Sequence, residues 1–87
     1  MEFLRPKDVI RKMKISRPLL YNYIKKGVFP KPIKISPTIS VWLNSEVEKI
    51  MQLMYKRADE TTIKKIVEEI EQLRDKGYPT TDLSLSR

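Results

Sequence analysis

Residues 6–27 read PKDVIRKMKISRPLLYNYIKKG and contain two short helical patterns joined by a tight connection. A proline in the first turn and a one-sided apolar stripe predict a helix over residues 6–14. Ser16 is a suitable N-cap for a second helix, which is expected to stop at Gly27, a residue type common just after helix C-termini. Pro18 falls early enough in that second helix to be tolerated. Two short helices joined in this way predict a helix-turn-helix.

Helical spacing divides the second helix into an inward and an outward side. Leu20, Tyr23 and Ile24 fall on the inward side. The outward side carries Arg17, Pro18, Tyr21, Asn22 and Lys25, and Lys26 follows at its end. Because Arg and Lys bind phosphates or read guanine, and Asn reads adenine, these six residues are candidate DNA contacts.

The residues after Gly27 change from a helical period to the alternation of strands. Ile33 and Ile35 alternate with Lys34, and a second alternating stretch covers residues 39–41, which predicts two half-buried strands. Residues 36–38 are predicted to form the turn of this hairpin, which has the size of a wing. Its candidate contacts to a phosphate backbone or a minor groove are Lys31, Lys34, Ser36 and Thr38. Trp42, at the end of the hairpin, is predicted to be a core residue.

Two further helices are predicted in the second half of the chain. The third is expected to begin with a capping box formed by Ser45 and Glu48. The fourth is expected to run to about Lys76 and to end at Gly77 and Pro79, followed by a mobile tail over residues 79–87. The fourth helix carries a narrow apolar seam, Ile63, Ile66, Ile70 and Leu73.

That seam has two interpretations. It can pack back onto Leu53 and Tyr55 of the same chain, or it can pair with a second copy, in which case its four residues form a dimerisation surface. A dimer would double the few base contacts that one small module makes.

Composition restricts the function further. The chain has 87 residues, a formal net charge of +7, two glycines, and neither cysteine nor histidine. Residues 1–44 carry a charge of +8 and residues 45–87 a charge of −1, an asymmetry that favours a polyanionic partner for the first half. No catalytic constellation or glycine-rich phosphate loop is recognisable, so we expect no enzyme, no cofactor and no metal site. No apolar run is long enough for a membrane span.

The segment from Phe3 to Met54 resembles the AlpA family of phage-type transcriptional regulators, which is related to MerR-like winged helices and to excisionases. The resemblance is carried by Phe3-Leu4-Arg5, Ile15-Ser16-Arg17, Leu20-Tyr21, Lys25-Lys26-Gly27, Phe29-Pro30-Lys31-Pro32-Ile33-Lys34, Trp42 and Ser45-Glu46-Val47. It implies that Ser16-Arg17 opens the recognition helix, that Tyr21 contacts the DNA backbone, and that residues 31–34 support the wing. The chain departs from the family pattern at Pro18, Leu19, Asn22, Ser36 and Thr38.

These observations together predict a mainly helical protein with a small β-hairpin: a winged helix-turn-helix over residues 1–55 and a C-terminal helical extension over residues 56–78. The predicted function is sequence-specific binding of double-stranded DNA, as a transcriptional regulator or as an excision factor of a prophage-like element. The expected location is the cytoplasm, at the nucleoid, with no membrane and no small-molecule substrate as partner. The alternative is a protein-interaction adaptor whose basic half docks on an acidic partner.

Overall fold

The computed structural model describes residues 2–76 of the chain. Within this range the elements follow in the order β1 (Phe3–Leu4), α1 (Pro6–Met13), α2 (Arg17–Lys26), β2 (Ile33–Ser36), β3 (Ile39–Leu43), α3 (Asn44–Tyr55) and α4 (Glu60–Lys76). This order confirms the prediction of a mainly helical winged helix-turn-helix with a C-terminal helix. The predicted helix stop at Gly77 and Pro79, and the tail over residues 79–87, lie outside the described residues.

The two helices of the helix-turn-helix begin and end where local signals place them. The Ser16 hydroxyl caps α2 by accepting a hydrogen bond from the Leu19 backbone N–H at 3.3 Å. Gly27 ends the same helix in the left-handed region, with a φ of 85°, where a residue with a Cβ is strained. Lys14 ends α1 in the left-handed region as well, with a φ of 57°, and turns the chain toward α2.

The wing belongs to a three-stranded antiparallel sheet with the order β1-β3-β2. β1 was not predicted, because it has only two residues and pairs Phe3 with the distant Leu43. In the hairpin, Lys34 faces Ser40 while Ser36 faces Ile39, so Ile35 is the extra residue of a β-bulge. The predicted alternation, which puts Ile35 on the same buried side of the strand as Ile33, is therefore wrong at Ile35, whose side chain is 54% exposed.

The core lies between the sheet and the helices, and Trp42 is at its centre as predicted. The Trp42 side chain is fully buried, its indole N–H donates to the Pro30 carbonyl at 2.8 Å, and its ring meets Phe29 edge to face with centroids 5.8 Å apart. The core cluster comprises Leu4, Val9, Leu20, Val28, Phe29, Trp42, Val47, Ile50, Ile63, Val67 and Ile70.

The capping box predicted for α3 is wrong in its residues. The helix begins one residue earlier, at Asn44, and the carboxylate that turns back is Glu46, whose Oε1 accepts from the Leu43 backbone N–H at 3.2 Å. Glu48 is exposed and pairs instead with Lys12 of α1, at 3.2 Å. In a capping box, the carboxylate three residues after the N-cap accepts a hydrogen bond from the backbone N–H of the N-cap residue. The N-cap of α3 is Leu43, so this carboxylate is that of Glu46.

α4 packs back onto the rest of the chain, which is one of the two interpretations of its apolar seam. Ile63, Val67 and Ile70 are core residues, and Ile66 is partly buried against the core. Only Leu73 of the seam is largely exposed, at 41%. The sequence predicted that the seam would pack onto Leu53 and Tyr55. Leu53 packs against the core, whereas Tyr55 is 86% exposed. A dimer through this helix remains a prediction.

The turn before α4 is fixed by local hydrogen bonds. Arg57 adopts a left-handed φ of 58°, and Asp59 Oδ1 accepts from the Thr62 backbone N–H at 2.8 Å. Hydrogen bonds from the Thr62 side chain and backbone lower the pKa of Asp59 below its ordinary value of 3.8. Asp59 is therefore the residue that caps α4.

Candidate nucleic-acid interface

The structure places the predicted outward residues of α2 on one exposed side of the helix. Arg17, Tyr21, Asn22 and Lys25 are exposed, and so is Pro18 in the first turn. The opposite side holds the buried Leu20, while Tyr23 and Ile24 pack partly buried against the core. The division into two sides that the spacing predicted is the one observed, so α2 offers cations, an amide and a phenol from a rigid scaffold.

Lys26 stands apart from this group. Its Nζ lies 3.7 Å from Glu60 Oε2 at the start of α4, and the same carboxylate lies 3.5 Å from Lys64. Lys26 therefore ties the end of α2 to α4 through an exposed ion pair, a contact that contributes little stability on its own. Within residues 2–76, no such pair occupies Arg17, Lys25, Lys31 or Lys34.

The candidate residues of the hairpin lie on β2 and in the turn between β2 and β3. Lys34 is exposed on β2, directly across from Ser40. Ser36 Oγ accepts from the Thr38 backbone N–H at 3.3 Å, which closes the turn. Thr38 is exposed at the tip, whereas the Ser36 hydroxyl is thus partly engaged in shaping the turn.

Lys31 belongs to the segment of residues 28–32 that joins α2 to the wing, and this segment is held from two sides. On one side the Pro30 carbonyl accepts from the Trp42 indole. On the other side two residues of α4 hold the Lys31 backbone: Glu71 Oε2 accepts from its N–H at 2.9 Å, and the Arg74 guanidinium donates to its carbonyl. The Lys31 side chain remains exposed. The position of the wing relative to α2 is thus fixed by core and α4 together.

Arg74 also forms a nearly buried ion pair with Glu46, which sequence reasoning missed. Its Nε lies 2.9 Å from Glu46 Oε2, and its second terminal nitrogen lies 2.7 Å from Oε1, so the two planar groups meet as a fork. The side chain of Glu46 is 3% exposed and that of Arg74 is 14% exposed. Since 28 positions separate the partners, no local pattern points to this pair. It joins the start of α3, α4 and the linker before the wing.

Two other kinds of feature are not found in the described part of the chain. Among residues 2–76, no group of three or more acidic side chains is arranged to hold a metal ion. Over the same range, every helix is too short or too polar to cross a membrane.

Comparison with known proteins agrees with this geometry. Residues 2–55, more than half of the chain, match the model of a protein family described as the prophage CP4-57 regulatory protein, AlpA. No curated protein and no solved structure matches the chain. The match covers both helices of the helix-turn-helix, the wing and α3, and it confirms the resemblance found in the sequence. The chain therefore belongs to the AlpA family of phage-type DNA-binding regulatory proteins.

Proposed function

We propose that the chain binds double-stranded DNA with α2 in the major groove and the β2–β3 hairpin against the adjacent backbone or minor groove. The observation that carries this proposal is the exposed outward side of α2, where Arg17, Tyr21, Asn22 and Lys25 lie together. B-form DNA offers a major groove wide enough for one helix, and these side-chain types suit its phosphates and base edges. The role proposed is regulation of transcription or of excision in a prophage-like element.

Within this proposal, the exposed residues fall into one candidate for base recognition and several candidates for phosphate contacts. Asn22 is the candidate for direct base recognition, because an amide can both donate to and accept from adenine. Lys25, Lys31 and Lys34 are exposed point charges suited to phosphates, and phosphate contacts position a protein without reading sequence. Lys26 contributes less, because Glu60 already shares its charge.

The segment of residues 28–32 also sets the distance between the hairpin and α2. Because Trp42 and α4 hold this segment, we expect α2 and the hairpin to act as one rigid unit. Where the groove geometry of an unbent duplex does not match that distance, contact with both elements requires the DNA to deform.

The first experiment is a fluorescence-anisotropy titration with random-sequence duplex DNA at salt concentrations from roughly 50 to 200 mM. Strong binding at low salt that weakens steeply with salt supports the proposal, because each phosphate contact adds about 0.9 to the logarithmic salt slope. The preferred site can then be selected from a random pool. No binding at low salt would refute the proposal and favour a basic protein-docking surface.

Two variants separate base reading from backbone contact on the selected site. Asn22→Ala is expected to cost about 1–3 kcal/mol on that site and to relax the preference at one base pair. Lys34→Ala is expected to weaken binding to all sequences and to reduce the salt slope by about 1. Lys65→Ala is the matched control, since Lys65 is exposed on α4 and its removal takes away the same charge. Equal behaviour of all three variants would contradict the assigned docking side.

A further inference from the structure

A surface cavity of about 450 Å³ lies beside the outward side of α2. Its lining consists of Arg5, Pro6, Lys7, Asp8 and Arg17, and we call it the Arg5 cavity. Pro6 is the first residue of α1 and Arg17 is the first residue of α2, so the cavity lies where the two helix N-termini meet. Neither Arg5 nor Lys7 belongs to the residues that the sequence pointed to as DNA contacts.

The charges around the cavity favour an anion. Three cationic side chains face one carboxylate, and Asp8 Oδ2 is already engaged, accepting from the Arg5 backbone N–H at 2.9 Å. In the described range 2–76, none of the three cations takes part in an ion pair. The N-termini of two helices add partial positive charge at the same place. Both guanidinium groups can bind a phosphate through two parallel hydrogen bonds, and the ammonium adds a point charge.

We propose that the Arg5 cavity seats a phosphate of the DNA backbone. The inference rests on the proposed function and extends its contact surface from α2 to the start of α1. DNA is the source of the phosphate because Arg17 belongs both to the cavity and to the outward side of α2. A duplex that contacts the outward side of α2 therefore passes beside the cavity and its cations.

This placement changes the role of Arg17. Its side chain lines the cavity together with two other cations, so it binds backbone rather than a base edge. Arg17 then contributes affinity that is independent of sequence, and base preference depends on other residues of α2, such as Asn22. A guanine-reading Arg17 would behave in the opposite way, because removal of a base-reading side chain lowers the preference for one site.

The test compares Lys7→Ala and Arg17→Ala with the control Lys65→Ala, using the full chain and the same anisotropy titrations. Removing one phosphate-binding side chain should reduce the salt slope by about 0.9. The factor by which affinity falls between 50 and 200 mM salt should therefore be about 3.5 times smaller for the variant than for the unmodified protein. Arg17→Ala should leave the ratio of affinities for the selected site and random DNA unchanged. Circular dichroism of each variant verifies that the fold is retained.

Three outcomes would overturn the inference in distinguishable ways. A Lys7→Ala salt slope equal to that of Lys65→Ala would remove the phosphate from the cavity while leaving the proposed function intact. A fall of about tenfold or more in the site preference of Arg17→Ala would show that Arg17 reads a base. Absence of DNA binding by the unmodified protein would refute the proposed function, and with it the inference that the phosphate in the cavity belongs to DNA.

A separate titration distinguishes DNA from a free anion. Inorganic phosphate alone is added to the unmodified protein, and the backbone amide signals of Arg5, Lys7, Asp8 and Arg17 are followed by NMR. We expect no saturable shift at millimolar phosphate, because a single free ion lacks the neighbouring interactions of a duplex. Saturable shifts together with unchanged DNA salt slopes in Lys7→Ala would assign the cavity to a free phosphate and overturn the DNA assignment.

Discussion

Replacement of Arg74 by alanine is expected to destabilise the protein more than any other single charge removal on α4. Its guanidinium meets Glu46 at 2.7 and 2.9 Å and also donates to the Lys31 carbonyl. Removing one partner of a buried pair costs about 3–5 kcal/mol, because the remaining charge is left without compensation. Since Arg74 retains 14% exposure, water can reach part of the site, and we expect the lower end, about 3 kcal/mol.

The assay is thermal unfolding followed by the fluorescence of Trp42, which is the one tryptophan of the chain and is fully buried. A domain of this size loses about 4–8 °C in Tm per kcal/mol, so Arg74→Ala should melt about 12–24 °C lower than the unmodified protein. Lys65→Ala, the exposed control on the same helix, should stay within about 0.5 kcal/mol. Arg74→Lys keeps the charge but not the planar fork, so it should recover only part of the stability.

A double-mutant cycle tests whether the pair itself carries the effect. Glu46→Gln preserves an acceptor for the Leu43 N–H while removing the charge that faces Arg74. The coupling free energy in the cycle of Glu46→Gln and Arg74→Ala is expected to be about 2 kcal/mol. The reasoning is refuted if Arg74→Ala has the same Tm as Lys65→Ala. It is also refuted if the effects of Glu46→Gln and Arg74→Ala on the free energy of unfolding are additive.

Three other changes have direct consequences. Gly27→Ala should lower the free energy of unfolding measured in urea by about 1 kcal/mol, because the φ of +85° is strained for alanine. Crowding adds nothing to this cost, since the new Cβ would lie at an ordinary 3.8 Å from Lys64 Cγ. An unchanged urea midpoint would contradict this expectation. Asp59→Ala should lower Tm near neutral pH. The folded-state pKa of Asp59 lies below 3.8, so this difference should shrink as pH falls through it, and a pH-independent difference would argue against the cap. Truncation after Tyr55 should abolish cooperative unfolding in circular dichroism, because the core loses three α4 side chains that each stabilise it by about 1.5–3 kcal/mol.

Local signals were sufficient for the helix-turn-helix and the wing. The hydroxyl of Ser16, the glycine at position 27 and the change of period after it each act within a few residues, so the sequence alone predicts where α2 begins and ends. The outward side of α2 also follows from spacing alone, because one face of a short helix must be buried. These are the features on which the candidate interface depends.

The features that sequence reasoning missed are those that depend on distant partners. β1 exists because Phe3 finds Leu43, and the Glu46–Arg74 pair joins residues 28 positions apart. The bulge at Ile35 arises from the register between two strands, which a period-two pattern on one strand cannot reveal. The Arg5 cavity is likewise formed by two helix starts that meet only in the folded chain.

The segment that matches the family is shorter than the segment that contributes side chains to the core. The family match ends at residue 55, yet Ile63, Val67 and Ile70 complete the core, and α4 holds the backbone of Lys31. The sequence predicts a winged helix-turn-helix over residues 1–55 and a C-terminal helical extension over residues 56–78, and from the burial of α4 we expect the two to unfold as one cooperative unit. We also expect α4 to influence DNA binding through the backbone of Lys31. Because α2 and the hairpin must reach one duplex at a fixed separation, a change in α4 that releases the Lys31 backbone should weaken binding even where every DNA-facing side chain is intact.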